Sequence, residues 1–422
     1  LVGTVDLDGR GRSGLELQYD ERLAGTPGRL LVERSIDGRT IPAGNNRLEP
    51  SERGEDLVLT IDRGLQHAVE QSLAATVQQR GAEGGTVVLM DPRNGHVLAM
   101  AGIDAEPAGT LAGPASTNLA LQSVFEPGSV NKIVTFAAAL EEGQVEPDEL
   151  LSVPPVLELG NQSFDDDKPH GVERWPVREV LARSSNVGTI MLAQELGPER
   201  LDDWLHRFGL GEPTGLDFPG EADGITRDVE DWSDTSMGAI PIGYENAVNA
   251  TQLLGAFNAI ANGGELVEPS LVQATVGADG ERTDVEEPDG RRVVSEETAA
   301  QMVEMLTGVV HTEEGTGINA QVGGYTVAGK TGTARKVDGR GIGYEPGAYM
   351  ATFAGFLPAE DPQLSAIVVL DEPRPRYHGG EVAAPLFANI AAAALHHLRI
   401  APAGGAASAG AVGTVRTQPT SD

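Results

Sequence analysis

The sequence predicts an α+β protein in which helices cover an antiparallel sheet. Three observations carry that prediction. Residues 87–100 read as two apolar strands around Asn94-Gly95, a residue pair that tight hairpins favour. Residues 327–334, 351–356 and 365–370 form three more apolar or small-residue runs, which read as successive antiparallel strands. Segments with helical spacing fill the long interval between these groups, and a last one over residues 382–398 covers the sheet.

From the N-terminus, residues 1–55 are rich in Gly, Arg and Asp, with short alternating pieces such as Leu15-Glu16-Leu17 and Leu30-Leu31-Val32. They read as short strands and loops that cannot close a core alone. Residues 57–62 predict a strand, followed by a helix to about residue 79 with Leu65, Val69 and Leu73 on one face. The hairpin of residues 87–100 begins the main sheet, and His96 beside its turn reads as structural or solvent-facing. A buried helix starts at Ser129 and ends near Gly143, carrying Val130, Ile133, Val134, Phe136, Ala137 and Leu140.

Residues 144–175 read as an acidic loop. Its Asp165-Asp166-Asp167 run lacks the glycine and spaced oxygen ligands of a calcium loop, so it reads as solvated. Helices follow over residues 190–196, within 200–220, and over 247–262 and 296–310, where Met302 and Met305 fill the core. Residues 336–348 predict a loop between strands. Residues 401–422, mostly Ala, Gly, Ser, Thr and Pro, predict a flexible tail.

At 422 residues the chain can bury at least one large core. It has no cysteine, which excludes disulfides and thiolate metal sites. A formal charge of -33 argues against nucleic acid as a partner and fits an acidic, salt-tolerant surface. No apolar run is long enough to span a bilayer. Leu1 stands where an initiator methionine would, so the sequence reads as part of a longer gene product, with room for an anchor ahead of it.

Chemistry concentrates at Ser129-Val130-Asn131-Lys132. Pro127 and Gly128 end an extended approach, and Ser129 opens a helix, whose free N–H groups favour developing negative charge. Lys132, three residues on, shares the face of Ser129. A hydroxyl beside an amine can act as a nucleophile–base pair. Only four of the 30 basic residues are lysine: Lys132, Lys168, Lys330 and Lys336. Arginine cannot accept a proton, whereas a desolvated lysine can. Lys330-Thr331-Gly332 lacks a Gly-x-x-x-x-Gly before its lysine and sits on a strand edge, so it is no phosphate loop. A lysine with two hydroxyls along an exposed strand suits a carboxylate, and free strand groups suit an extended peptide. Ser184, Ser185 and Asn186 precede a buried helix. They read as helix caps, or else Ser184 and Asn186 stand against the Ser129–Lys132 pair.

Three ordered fragments, Ser129-x-x-Lys132, Ser184-x-Asn186 and Lys330-Thr331-Gly332, resemble the signature set of penicillin-recognising serine acyl-transfer enzymes. Gly25-Thr26-Pro27-Gly28, Asp91-Pro92-Arg93-Asn94-Gly95, Glu126-Pro127-Gly128-Ser129 and Ala384-Pro385-Leu386-Phe387 extend the likeness to class B penicillin-binding proteins of the septal, division type. The resemblance implies a penicillin-binding/serine β-lactamase-like domain over 56–400, its antiparallel sheet carrying helices on both faces and an all-helical lobe. Residues 1–55 would be the end of a truncated, strand-rich pedestal domain. It implies one N-terminal membrane anchor outside this chain and an extracytoplasmic catalytic domain.

The implied activity is peptidoglycan D,D-transpeptidation on D-Ala-D-Ala stem peptides, with no metal or organic cofactor. Ser129 is the implied nucleophile, Lys132 its base, Ser184 the proton relay and Asn186 the group orienting Lys132. The backbone N–H groups of Ser129 and Thr333 would form the oxyanion hole. Lys330, Thr331, Gly332 and Thr333 would bind substrate. Implied partners are lipid II-derived glycan strands, β-lactam antibiotics, a polytopic septal glycosyltransferase and division proteins. Hydrolysis, as a D-Ala-D-Ala carboxypeptidase or β-lactamase, and a non-enzymatic β-lactam sensor or division scaffold are the alternatives. Two departures stand out. Val130-Asn131 replaces the usual Thr-Phe on the side away from Ser129 and Lys132, and Glu245 and Asn249 stand where the family has other residues.

Overall fold

The hairpin of residues 87–100 and the run at 365–370 meet at the centre of one sheet. The computed structural model describes residues 1–42, 44–105, 112–338 and 343–402. Its main sheet has six strands: β1 (Gly84–Met90), β2 (Val97–Asp104), β3 (Gly113–Pro114), β4 (Ala328–Val337), β5 (Tyr344–Leu357) and β6 (Leu364–Asp371). Their order is β4-β5-β6-β1-β2-β3, and each neighbouring pair is antiparallel.

Every residue of β1 is buried, because both faces of the sheet are covered. Val87 and Leu89 join one core with the helices Arg63–Arg80 and Gly379–Leu398, while Val88 and Met90 join the opposite core. That second core holds the helices Lys132–Glu141, Asn186–Leu196, Pro198–Arg207, Ala250–Ala261 and Glu296–His311. Each fully buried Leu, Val or Phe stabilises the fold by about 1.5–3 kcal/mol relative to exposure. Asp62 starts the first helix by accepting from the amides of Gly64 and Leu65 at 2.8 and 2.9 Å, a cap worth about 1 kcal/mol.

Four local expectations are corrected. Residues 144–175 are not a plain loop: Leu150–Val153 pairs with Glu173–Pro176, and Val156–Leu159 with Gln162–Asp165. Each of these strands is only four residues long, and Pro154-Pro155 interrupts the apolar run, so no strand period shows. Leu15-Glu16-Leu17 is helical, within Gly14–Gln18, because only Leu15 is buried and Leu17 faces out. The first hairpin closes on Asp91 and His96 with four residues between them, a longer turn than Asn94-Gly95 alone. Strands β4 and β5 extend to the pair Val337–Tyr344, shortening the loop read at 336–348. The tail read at 401–422 lies outside the described residues from 403 onward.

Candidate active site

The chain before Ser129 is forced into close quarters. Gly128 has φ +57°, and its amide donates to the Gly243 carbonyl at 3.0 Å. A Cβ on Gly243 would stand 2.1 Å from the Gly128 oxygen, so two glycines let these segments cross. Residues Gly128–Asn131 form a 3-10 turn, and the α-helix begins at Lys132. Ser129 therefore sits in a tightened first turn and not in the α-helix itself, a common way for helices to start. Val130 and Asn131 are buried on the other side, where Asn131 Nδ2 donates to the Ile240 carbonyl at 3.0 Å.

Strand β4 lies along this turn at the edge of the sheet. A Cβ on Gly332 would meet Val130 Cγ2 at 2.5 Å and the Pro127 oxygen at 2.9 Å, so only glycine lets the strand approach. The edge is not exposed as the sequence reading had it. Lys330 is fully buried and Thr331 nearly so, because the Ser129 turn and the Ser184 segment cover them. Thr331 and Thr316 share a hydroxyl–hydroxyl bond of 2.7 Å, and Thr333 Oγ1 accepts from the Gly379 amide at 3.0 Å.

Ser184 connects the two lysines. It has φ +59°, uncommon for a residue with a side chain, and this turns both its oxygens toward Lys132. Lys132 Nζ donates to the Ser184 carbonyl at 2.6 Å and to Asn186 Oδ1 at 2.7 Å, and lies 3.3 Å from Ser184 Oγ. Lys330 Nζ is 2.9 Å from the same Oγ and donates to the Thr331 carbonyl at 3.0 Å. Ser185 takes the capping role, its Oγ accepting from the Gly188 amide at 3.0 Å.

The electrostatics follow from burial. Lys132 is fully buried, which lowers its amine to about 7 against the opposing pull of Asp166 and Asp167. Burial, and then the charge of Lys132, pushes Lys330 well below the ordinary lysine range. Desolvation, more than the field of Lys330, is thus what loosens the Lys132 proton. A neutral Lys132 has two N–H donors, which Ser184 O and Asn186 Oδ1 engage, leaving its lone pair free. Among the described residues no hydrogen bond yet joins Ser129 Oγ to Lys132.

Residues 85–392 match the family model of the penicillin-binding protein transpeptidase domain. The chain belongs to this family. Penicillin-binding protein PbpB of Mycolicibacterium smegmatis is 38% identical over 415 residues, which are 95% of this chain and 64% of that protein. PbpB of Mycobacterium tuberculosis is 40% identical over 403 residues, covering 93% and 59%. The chain thus spans about three fifths of these relatives' length. The crystal structure of Mycobacterium tuberculosis penicillin-binding protein 3 complexed with aztreonam superposes with a TM-score of 0.83 at 37% identity, covering 95% of this chain and 88% of that one. These are relatives of the class B, division-type branch, as the sequence resemblance had it.

One residue of this penicillin-binding fold escaped the sequence reading. The Asp165-Asp166-Asp167 run is not simply a solvated loop, because Asp166 turns inward. Its Oδ1 accepts from the amides of Asn186 and Val187 at 2.6 and 3.0 Å. Its Oδ2 accepts from Ser185 Oγ at 2.7 Å and lies 2.9 Å from His170 Nε2. No local pattern distinguishes the middle aspartate from its neighbours, so the sequence carried no signal for it. The departures read at Glu245 and Asn249 are structural here. Asn249 caps Ala250–Ala261 in a reciprocal pair with Gln252, while Glu245 takes a bond from Ser236 Oγ at 2.6 Å and its amide holds Glu126 at 2.9 Å.

Proposed function

We propose that this chain carries a peptidoglycan D,D-transpeptidase that forms peptide cross-links through an acyl-enzyme on Ser129. The observation that carries this reading is the convergence of two fully buried lysines on one serine hydroxyl, Ser184, with Ser129 one turn from Lys132. In the proposed sequence, neutral Lys132 takes the Ser129 proton as Oγ bonds to the penultimate D-Ala carbonyl carbon. The amides of Ser129 and Thr333 hold the oxyanion, each worth about 3–4 kcal/mol. Ser184 passes the proton from Lys132 to the departing D-Ala nitrogen as the peptide bond breaks. A stem-peptide amine then attacks the acyl carbon, its proton returns through Lys132, and the Ser129 hydroxyl is restored.

Asn186 orients Lys132, and Lys330, Thr331, Gly332 and Thr333 form the carboxylate side of the cleft. An anionic carboxylate supplies the counter-charge that a buried Lys330 lacks, so substrate binding recharges it. β-Lactams carry a carbonyl and a carboxylate of similar kind and acylate the same serine. Among the described residues of 1–55, only Leu15 joins the buried hydrophobic core, while Leu7 and Ile36 are fully exposed. This supports reading them as the end of a pedestal, with 56–400 as the transpeptidase domain and 401–422 as a tail. No described helix is long and apolar enough to cross a membrane. The same reading places the catalytic domain outside the cell on a separate N-terminal anchor, beside a polytopic septal glycosyltransferase and division proteins.

The test is mass-spectrometric analysis of a D-Ala-D-Ala stem peptide incubated with the protein and an amine acceptor. Cross-linked product with D-Ala release is expected. Hydrolysed peptide alone would make it a carboxypeptidase, and untouched peptide with a stable penicillin adduct would make it a sensor.

A further inference from the structure

The Ser184–Asn186 segment makes a sharp turn between two helices: Ser184 is in a left-handed backbone conformation, Ser185 caps the next helix through the Gly188 amide, and Asn186 is the first residue of that helix. Asp166 adds a second hold on this turn from outside it. Its carboxylate receives two backbone N–H groups of the helix start and the Ser185 hydroxyl, all within 3.0 Å. Asn186 Nδ2 also donates to the Asp165 carbonyl at 2.9 Å, which fixes the amide with its Oδ1 on Lys132. The side chains of Asp166 and His170 are 9% and 8% exposed. His170 is itself held, with Nδ1 2.6 Å from the Gly171 carbonyl and its ring 4.7 Å from Trp175, over which Arg183 stacks.

We infer that Asp166, braced by His170, is the positioning residue of the acylation site, holding Ser184 and Asn186 where they engage Lys132. This rests on the acyl-transfer reading above. A carboxylate bonded four ways fixes the loop more tightly than a lone serine cap, and ionised acceptors make the stronger bonds. It also sits close enough to Lys132 to act on its proton. The charged groups facing Lys132 are Lys330 on β4 and Asp166 and Asp167 on the preceding hairpin. Asp166 and Asp167 both favour the charged amine, so removing either charge loosens the proton further.

The experiment measures the second-order acylation rate with a fluorescent penicillin from pH 5 to 9, for wild type, Asp166→Ala, Asp166→Asn, Asp167→Asn and Ser129→Ala. Labelling of wild type and not of Ser129→Ala tests the acyl-transfer reading; its absence sinks that reading separately. Misplacing reacting groups by about 1 Å costs on the order of 100-fold. Asp166→Ala should therefore lose about 10- to 100-fold of the plateau rate. Asp166→Asn, which keeps shape and acceptors for the two amides, should recover part of it, with its acid limb moved to lower pH. Asp167→Asn should move the limb while keeping the plateau within about twofold. An Asp166→Asn profile that overlays wild type, or an Asp166→Ala plateau within twofold of it, would overturn the proposal. Should Asp166→Ala fail to fold, the Asp166→Asn profile decides alone.

Discussion

Lys330 Nζ lies 2.9 Å from Ser184 Oγ, a contact that ties the edge strand of the sheet to the helical lobe across the cleft. The same oxygen is 3.3 Å from Lys132 Nζ, so one hydroxyl spans both amines. Ser184→Ala removes that bridge and the proposed proton path together. General acid–base steps contribute about 10²–10⁴-fold. The variant should therefore acylate at least about 100-fold more slowly with penicillin while its melting temperature changes little. A rate within threefold of wild type would remove Ser184 from the path.

Lys132 should set the pH dependence of acylation. Its amine is lowered to about 7 by burial, and only the neutral form can take the Ser129 proton. The rate should thus be full above that value and fall as pH drops through it. Stopped-flow acylation between pH 5 and 9 reads the limb directly. Lys132→Arg, charged at every such pH, should be inert; a labelled Lys132→Arg would mean another base.

Gly332→Ala places a methyl group against Val130 Cγ2 and the Pro127 carbonyl, closer than atoms pack. Overpacking of this kind costs about 1–3 kcal/mol, and here it pushes β4 off the Ser129 turn. Calorimetry should show the destabilisation, and the acylation rate should fall by about 10-fold or more. Unchanged values in both would mean that the strand has slack the geometry does not show.

Lys336 holds three carboxylates at once, Glu83, Asp371 and Glu372, at 3.2, 2.9 and 2.9 Å. Glu372 is 4% exposed and also pairs with Arg374 at 2.8 Å, and burial pushes Asp371 up, so the ammonium is the one counter-charge all three share among the described residues. Lys336→Met should cost about 2 kcal/mol, below the roughly 3–5 kcal/mol of breaking a fully buried pair, because Lys336 is 28% exposed. Urea denaturation measures it. A loss under 1 kcal/mol would mean that the carboxylates simply take up protons.

The surface charge makes a prediction of its own. With 63 acidic against 30 basic residues, self-repulsion acts on the folded state. Molar salt shrinks the screening length to about 3 Å, so stability and acylation should persist or rise there. A steep loss at molar salt would remove salt adaptation as the reason for the acidity.

Much of this architecture was legible because it rests on periodicity. Val87 to Met90 and residues 365–370 are apolar on both faces, and the helix faces of Leu65, Val69 and Leu73 repeat at 3.6. Ser129, Lys132, Ser184, Asn186 and Lys330 could be read together because their motifs are short, ordered and chemically uncommon. Asp166 could not, since its role depends on four-residue strand pairs within 150–176, too short to show a period, and on partners about twenty residues away. The full burial of Lys330 was equally hidden, because it arises from two distant segments folding over an edge strand.

The most direct measurement is intact-mass and peptide analysis after incubation with a penicillin, on wild type and Ser129→Ala. The account predicts one adduct per chain, on Ser129, persisting for many minutes, and none on Ser129→Ala. An adduct on another residue, or an unmodified Ser129 in wild type, would contradict it.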